Sequence, residues 1–199
     1  MEPLLGGMSA KRTATGGRLA FILTLAAVVL FIVALATPAV IQTSGDIGVG
    51  TIHGNYGPFR VCSHLNSDSD SCKAVDGHCE YSLRPVSGVE IKVPVVKDCD
   101  KWNAARGLLV VAAIAAIVAF LLQLAVITSA GSSGGVRGAA VFLALLAALC
   151  GMVSMALFAN MKNDDDAFKE VPADLGYGFW MITVGWVLVL IAALPFCRK

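Results

Sequence analysis

Six cysteines and three histidines carry most of the chemical reach of this 199-residue chain. Cys62, Cys72, Cys79 and Cys99 share one polar stretch, with nine, six and 19 residues between neighbours. His64 and His78 lie among them, and His53 lies shortly before. Three chemistries use such residues. Zinc sites are built from closely spaced pairs such as C-x2-C, and neither such a pair nor a regular His spacing occurs. Thiol–disulfide catalysis needs a C-x-x-C pair with an activated thiolate, which is missing. Structural cross-linking remains, and four cysteines allow three pairings. Asn66, Asp68 and Asp70 alternate like the start of a calcium loop. Ser71 stands where an EF-hand needs Gly, and Gly77 where it needs Glu, so an EF-hand is rejected. Weak calcium binding by Asp68 and Asp70 is weighed against a solvated hairpin tip, and the tip is favoured. No Ser–His–Asp set or carboxylate pair stands out. The expectation is a non-enzyme with no catalytic residue, no cofactor and no metal site.

The fate of the cysteines depends on the compartment, which the rest of the chain decides. Hydrophobic residues make up 57% of it and charged residues 15%, against about 25% charged in a soluble domain. Mean hydropathy is +0.76. The bias comes from four uncharged apolar segments, 19–41, 107–128, 138–159 and 175–196. Each reaches the roughly 20 residues that a helix needs to cross a ~30 Å hydrocarbon layer. A charge at the bilayer centre costs about 2.5–3.5 kcal/mol, so the lack of Asp, Glu, Lys and Arg is what spanning requires. The runs are continuous rather than alternating, which selects helices over barrel strands. A cleaved signal peptide ending at Ala36 is the rival reading of the first segment. Its apolar run of about 17 residues is longer than the usual ~7–15, and a retained helix is preferred.

Basic residues orient the spans. Lys11, Arg12, Arg18, Arg137, Arg198 and Lys199 fall on one side with Glu2, a net charge of +5. The other nine basic and 13 acidic residues leave the opposite side at −4. The expected layout has a cytosolic N-terminal tail (1–18), the first span (19–41) and a long extracellular loop (42–106). The second span (107–128), a cytosolic turn (129–137) and the third span (138–159) follow. A short extracellular loop (160–174), the fourth span (175–196) and a cytosolic end (197–199) complete it. Nothing here resembles a nucleic-acid footprint. The expected partners are the lipid bilayer, further copies of the chain, or other membrane proteins in cis or trans.

Ala112 and Ala116, Ala144 and Ala148, and Ala147 and Gly151 are each four apart, and Gly178 and Gly185 are seven apart. Small residues at these spacings let helix backbones approach closely in lipid, which predicts a compact bundle. Gln123 is the most polar residue within the spans and is read as an interhelical hydrogen bond. The stretch 88–96 alternates Val89, Ile91 and Val93 with Glu90 and Lys92, a half-buried strand ending near Pro94. Phe59 and Val61 are expected on one face of another strand, with Arg60 and Cys62 on the other. The fold class expected is therefore a mainly α membrane protein. It is a four-transmembrane-helix bundle with a small extracellular antiparallel β-sheet in the first outer loop. An outer location favours disulfides, and a sheet with little core of its own needs such staples. Cys197, beside Arg198 and Lys199, is a candidate for S-palmitoylation. Cys150 is read as packing. The outer loops hold no N-x-Ser/Thr sequon.

Taken together, these motifs resemble the claudin/PMP22 superfamily. "GPFRVC" (57–62) is similar to the claudin Gly-Leu-Trp-x-x-Cys motif through Gly57, Phe59 and Cys62, with Cys72 at the matching distance. "NAARGLLVV" (103–111), which includes Arg106, resembles the start of the claudin second span, and "DLGYGFWMITVGW" (174–186) the start of the fourth. The resemblance implies a Cys62–Cys72 disulfide, and Cys79–Cys99 then follows by elimination. It also implies a plasma-membrane protein with a structural or adhesive role, as at cell junctions. The departures are a missing early-loop tryptophan, Phe59 for the motif tryptophan, the extra Cys79 and Cys99, and "FCRK" in place of a PDZ-binding end. They suggest a divergent member. Neighbouring families of the same fold include calcium-channel gamma subunits, fungal SUR7-type proteins and trypanosomatid amastins. An auxiliary channel or transporter subunit is the alternative function; an ion pore and a membrane thiol oxidoreductase rank lower.

Overall fold

The computed structural model describes residues 4–46, 51–65, 71–75, 78–83, 91–94, 96, 98–128, 134–164 and 173–197. Four helices dominate it: α1 (Leu4–Ala36), α2 (Cys99–Thr128), α3 (Gly134–Asp164) and α4 (Tyr177–Cys197). All four contain a stretch long and apolar enough to cross a membrane. The helices overrun those stretches. α1 extends back to Leu4, through the segment read as a tail, and α2 begins at Cys99 rather than near Gly107. Charge limits where a helix can enter lipid, but it does not end the helix.

Proline does end α1. Pro38 disfavours helical geometry at Thr37, and the last helical hydrogen bond runs from the Thr37 amide to the Val33 carbonyl at 2.9 Å. The expected span to Ile41 is therefore cut short, and Ile41 opens the first strand.

α1 packs against α2 and α4, and α3 packs against the same two, closing a four-helix ring. The seams are lined by small residues. Ala105, Ala112, Ala116, Ala119, Ala144 and Ala147 are all fully buried. Phe31 of α1 fills the notch they leave near the middle. A β-carbon on Gly151 would come within 3.2 Å of its ring, and one on Gly185 within 3.1 Å. One interhelical polar bond comes from Ser154, whose hydroxyl donates to the Ala105 carbonyl at 2.8 Å, and another from Thr183, whose hydroxyl donates to Met155 Sδ at 3.1 Å. Gln123 is buried, but its Oε1 has no hydrogen-bond partner among the described residues.

The larger sheet has five strands: β1 (Ile41–Asp46), β2 (Thr51–Tyr56), β3 (Arg60–Leu65), β4 (Ser71–Ala74) and β7 (Ala173–Leu175). Their order is β4-β3-β2-β1-β7, antiparallel throughout. Four strands come from the segment between α1 and α2. β7, just before α4, adds the segment between α3 and α4 to the same sheet. A separate hairpin joins β5 (Glu80–Leu83) to β6 (Ile91–Pro94).

Candidate interaction surface

The register divides the large sheet into an inner and an outer face. Ile41, Tyr56, Val61, Lys73 and Leu175 form one rung, and Gln42, Asn55, Cys62, Cys72 and Asp174 form the next. Successive residues on a strand point to opposite faces. Ile41 and Val61 are buried, so their face rests on the bundle. Cys72 and Asp174 are exposed on the other. Cys62 and Cys72 sit directly opposite each other and form a disulfide that clamps β3 to β4.

The sheet is welded to the bundle at the exit of α1. Gly57 follows β2, and a β-carbon there would overlap the Thr37 carbonyl oxygen and the Pro38 backbone. Gly176 and Gly178 also approach the segment after α1, against the Ala39 carbonyl. Their amides donate to backbone carbonyls there, Gly176 to Val40 at 2.9 Å and Gly178 to Ala39 at 2.8 Å. Val40 in turn donates to the Tyr56 carbonyl at 2.9 Å. Three glycines thus let three chain segments share one backbone joint, a role that a lone glycine in a motif does not reveal.

Phe59 lies in the turn after Gly57, not on the buried face of Val61 where alternation had put it. The turn is closed by the Gly57 amide donating to the Arg60 carbonyl at 2.8 Å. The Phe59 ring is 38% exposed. The Arg106 guanidinium lies 5.8 Å from the ring centroid, within reach of a cation–π contact. Phe59, in the turn that follows Gly57, and Arg106 of α2 therefore meet where the sheet approaches the helix.

The start of α2 anchors the second hairpin. Asp98 precedes the helix and caps it, its Oδ1 accepting from the Lys101 amide at 3.3 Å and its Oδ2 pairing with Lys101 Nζ at 2.9 Å. The side-chain and backbone bonds to Lys101 hold the Asp98 carboxyl below the usual carboxylate range. Cys99, in the first turn, forms a disulfide with Cys79. Asn103 Nδ2 donates to Cys99 Sγ at 3.3 Å. Cys79 has φ of 56°, the one positive value at a non-glycine among the described residues. One turn on, Trp102 is fully buried, edge-on to Phe158 at 5.4 Å between centroids.

All four loop cysteines are thus in disulfides, so none offers a thiolate to a metal or a substrate. Cys150 is free and buried in α3. Cys197 closes α4, and its side chain lies outside the described residues, as do Asp68 and Asp70. The residues that spacing had not revealed are Gly176, β7 and Trp102. The only sequence hint of the first was the "LGYG" stretch at 175–178.

A four-helix apolar ring crowned by a disulfide-clamped sheet defines a tetraspan membrane protein. No curated protein matches the chain. A family model described as amastin surface glycoprotein matches residues 59–196. The chain belongs to the amastin family. This corrects the reading as a claudin/PMP22 member, and with it the junctional role that the reading implied.

Proposed function

We propose that this protein is a plasma-membrane tetraspan with both termini in the cytosol, acting as a structural or membrane-organising surface protein rather than an enzyme. Orientation is supported by the split of charge, with six basic residues and Glu2 on the inner side. The observation that carries the role is the use of both outer segments for one clamped sheet. Among the described residues the sheet ends at β4 on one side and at β7 on the other. Such edges and faces are what strand addition or loop docking uses. The partners are further copies of the chain or other membrane proteins, met in cis or in trans. The family's description as a surface glycoprotein agrees with a sheet facing outward.

An auxiliary subunit of a channel or transporter is the second reading, favoured by Gly107. This glycine faces outward on α2, and a β-carbon there would meet nothing within 4 Å. The bundle itself does not require it, and it leaves room for a helix of another protein. Cross-linking in native membranes followed by purification in mild detergent separates the two. Homo-oligomers support the first reading, and one stoichiometric channel or transporter supports the second. A chain that runs as a monomer without partners under both conditions refutes both. Terminal epitope tags should become accessible only after permeabilisation.

A further inference from the structure

The side-chain amide of Asn103, one turn into α2, touches both sulfurs of the Cys79–Cys99 disulfide. Its Nδ2 donates to Cys99 Sγ at 3.3 Å, and its Oδ1 lies 3.8 Å from Cys79 Sγ. The Cys99 carbonyl oxygen is 3.6 Å from Cys79 Sγ. A disulfide sulfur has no proton to give, so these two oxygens can receive a hydrogen bond from Cys79 only when it is a thiol. Cys99 meets the opposite chemistry, because an N–H donor and the first turn of a helix favour a thiolate there. The closed bond also holds Cys79 at a φ of 56°, in the left-handed region that a residue with a β-carbon enters only at a cost. The Cys62–Cys72 bond differs. It joins directly opposed residues of β3 and β4, whose ladder keeps the two sulfurs together whether or not the bond is closed.

We propose that Cys79–Cys99 is a thiol-exchange site, opened by a low-molecular-weight thiol while Cys62–Cys72 stays closed. Cys79 is fully buried and Cys99 half-buried, so the incoming thiolate attacks Cys99 Sγ. A bond forms between the thiol sulfur and Cys99, and the Cys79–Cys99 bond breaks. Cys79 leaves with the electron pair and takes a proton from water. A second thiolate attacks the outer sulfur of the mixed disulfide and releases Cys99 as a thiolate. In sum, two small thiols are oxidised to one disulfide, and one protein cystine is reduced to two cysteines. Asn103 favours that reduced pair by donating to the Cys99 thiolate and accepting from the Cys79 thiol. Residues 79 and 99 bracket the β5–β6 hairpin, whose strands pair with each other and lie outside the larger sheet. Opening the bond therefore frees the β5 end of the hairpin from α2, and the redox state sets whether this piece of surface is fixed to the bundle.

Equilibration of the full chain in nanodiscs with graded ratios of reduced to oxidised glutathione tests this. Acid quenching, isotope-coded alkylation and peptide mass mapping read each cysteine pair separately. The equilibrium constant for reducing Cys79–Cys99 should exceed that of Cys62–Cys72 by about tenfold or more, which is about 30 mV for this two-electron couple. The trapped mixed disulfide should carry glutathione on Cys99. Hydrogen exchange in Glu80–Leu83 should rise over the range in which only this pair is open. Asn103→Leu removes both side-chain contacts at similar volume and should make the bond roughly threefold harder to reduce. A purely structural role for Asn103 predicts the reverse, because a loosened hairpin holds the two sulfurs together less well. Equal reduction of the two pairs overturns the proposal, as does earlier reduction of Cys62–Cys72. So does glutathione trapped on Cys79, or an Asn103→Leu bond that opens as easily as the parent's or more so.

Discussion

Gly57 lies against the carbonyl oxygen of Thr37 with no room for a β-carbon between them. This contact ties the β2–β3 turn to the end of α1, and it turns two elements from different environments into one body. A substituent at Gly57 must push backbone against backbone, because neither Thr37 O nor Pro38 can swing aside like a flexible side chain.

Gly57→Ala should therefore destabilise the protein by about 1–3 kcal/mol, the usual cost of overpacking. Gly107→Ala is the internal control. It sits on an exposed helix face with open space around it, and it should gain about 0.5–1 kcal/mol from lower unfolded-state freedom. Thermal melts of both variants in one detergent give the comparison. Equal effects of the two substitutions would refute the joint.

Phe31→Ala should cost about 3–5 kcal/mol, because the ring is fully buried between Gly151 and Gly185 and helices packed in the membrane close such a void only in part. Gly185→Ala should also destabilise, but by less, since the edge of the Phe31 ring can give by a few tenths of an ångström. Unfolding in a mixed-detergent titration reads both. Tolerance of Phe31→Ala would mean that the ring does not hold the bundle's centre.

The two disulfides should behave as separate staples. They close loops with sequence separations of 10 and 20 residues, and loop entropy assigns each about 3 kcal/mol, slightly more to the longer. Non-reducing peptide mass mapping should recover Cys62 with Cys72 and Cys79 with Cys99. Cys79→Ser should loosen β5–β6 while leaving the Cys62–Cys72 peptide intact, as seen by hydrogen exchange. Scrambled pairs in surface-exposed protein would contradict the register.

Asp98 should add a pH dependence to the first turn of α2. Its carboxyl is held below the usual range, so the stabilisation is complete above the unfolded carboxylate pKa of about 3.9 and is lost as pH falls through the lower folded value. Asp98→Asn keeps a capping oxygen and removes the charge. Hydrogen exchange at Lys101 and Trp102 should accelerate in acid for the parent, with a flatter profile in the variant.

The helices were legible because their signal is local. An uncharged run such as 107–128 must satisfy every backbone group within itself once lipid surrounds it. Alternation around Val93 and Pro94 placed β6 for a similar reason. The family was not legible to the same degree. Gly57, Phe59, Cys62 and Arg106 resembled a claudin motif, whereas the family match over residues 59–196 is to amastin, so these short motifs did not identify the family.

Strand partners were decided elsewhere. Apolar length and the bias of Lys and Arg already determine four spans and a polar outer segment that needs staples. They say nothing about which residue faces which across a sheet, because that choice depends on pairing between distant segments. Tertiary structure alone brought β7 beside β1 and placed His53 opposite His64 in the register. It also brought Gly57, Gly176 and Gly178 around one turn of backbone after Ala36. In lipid a helix closes its own hydrogen bonds, whereas a strand outside it must find them on another part of the chain.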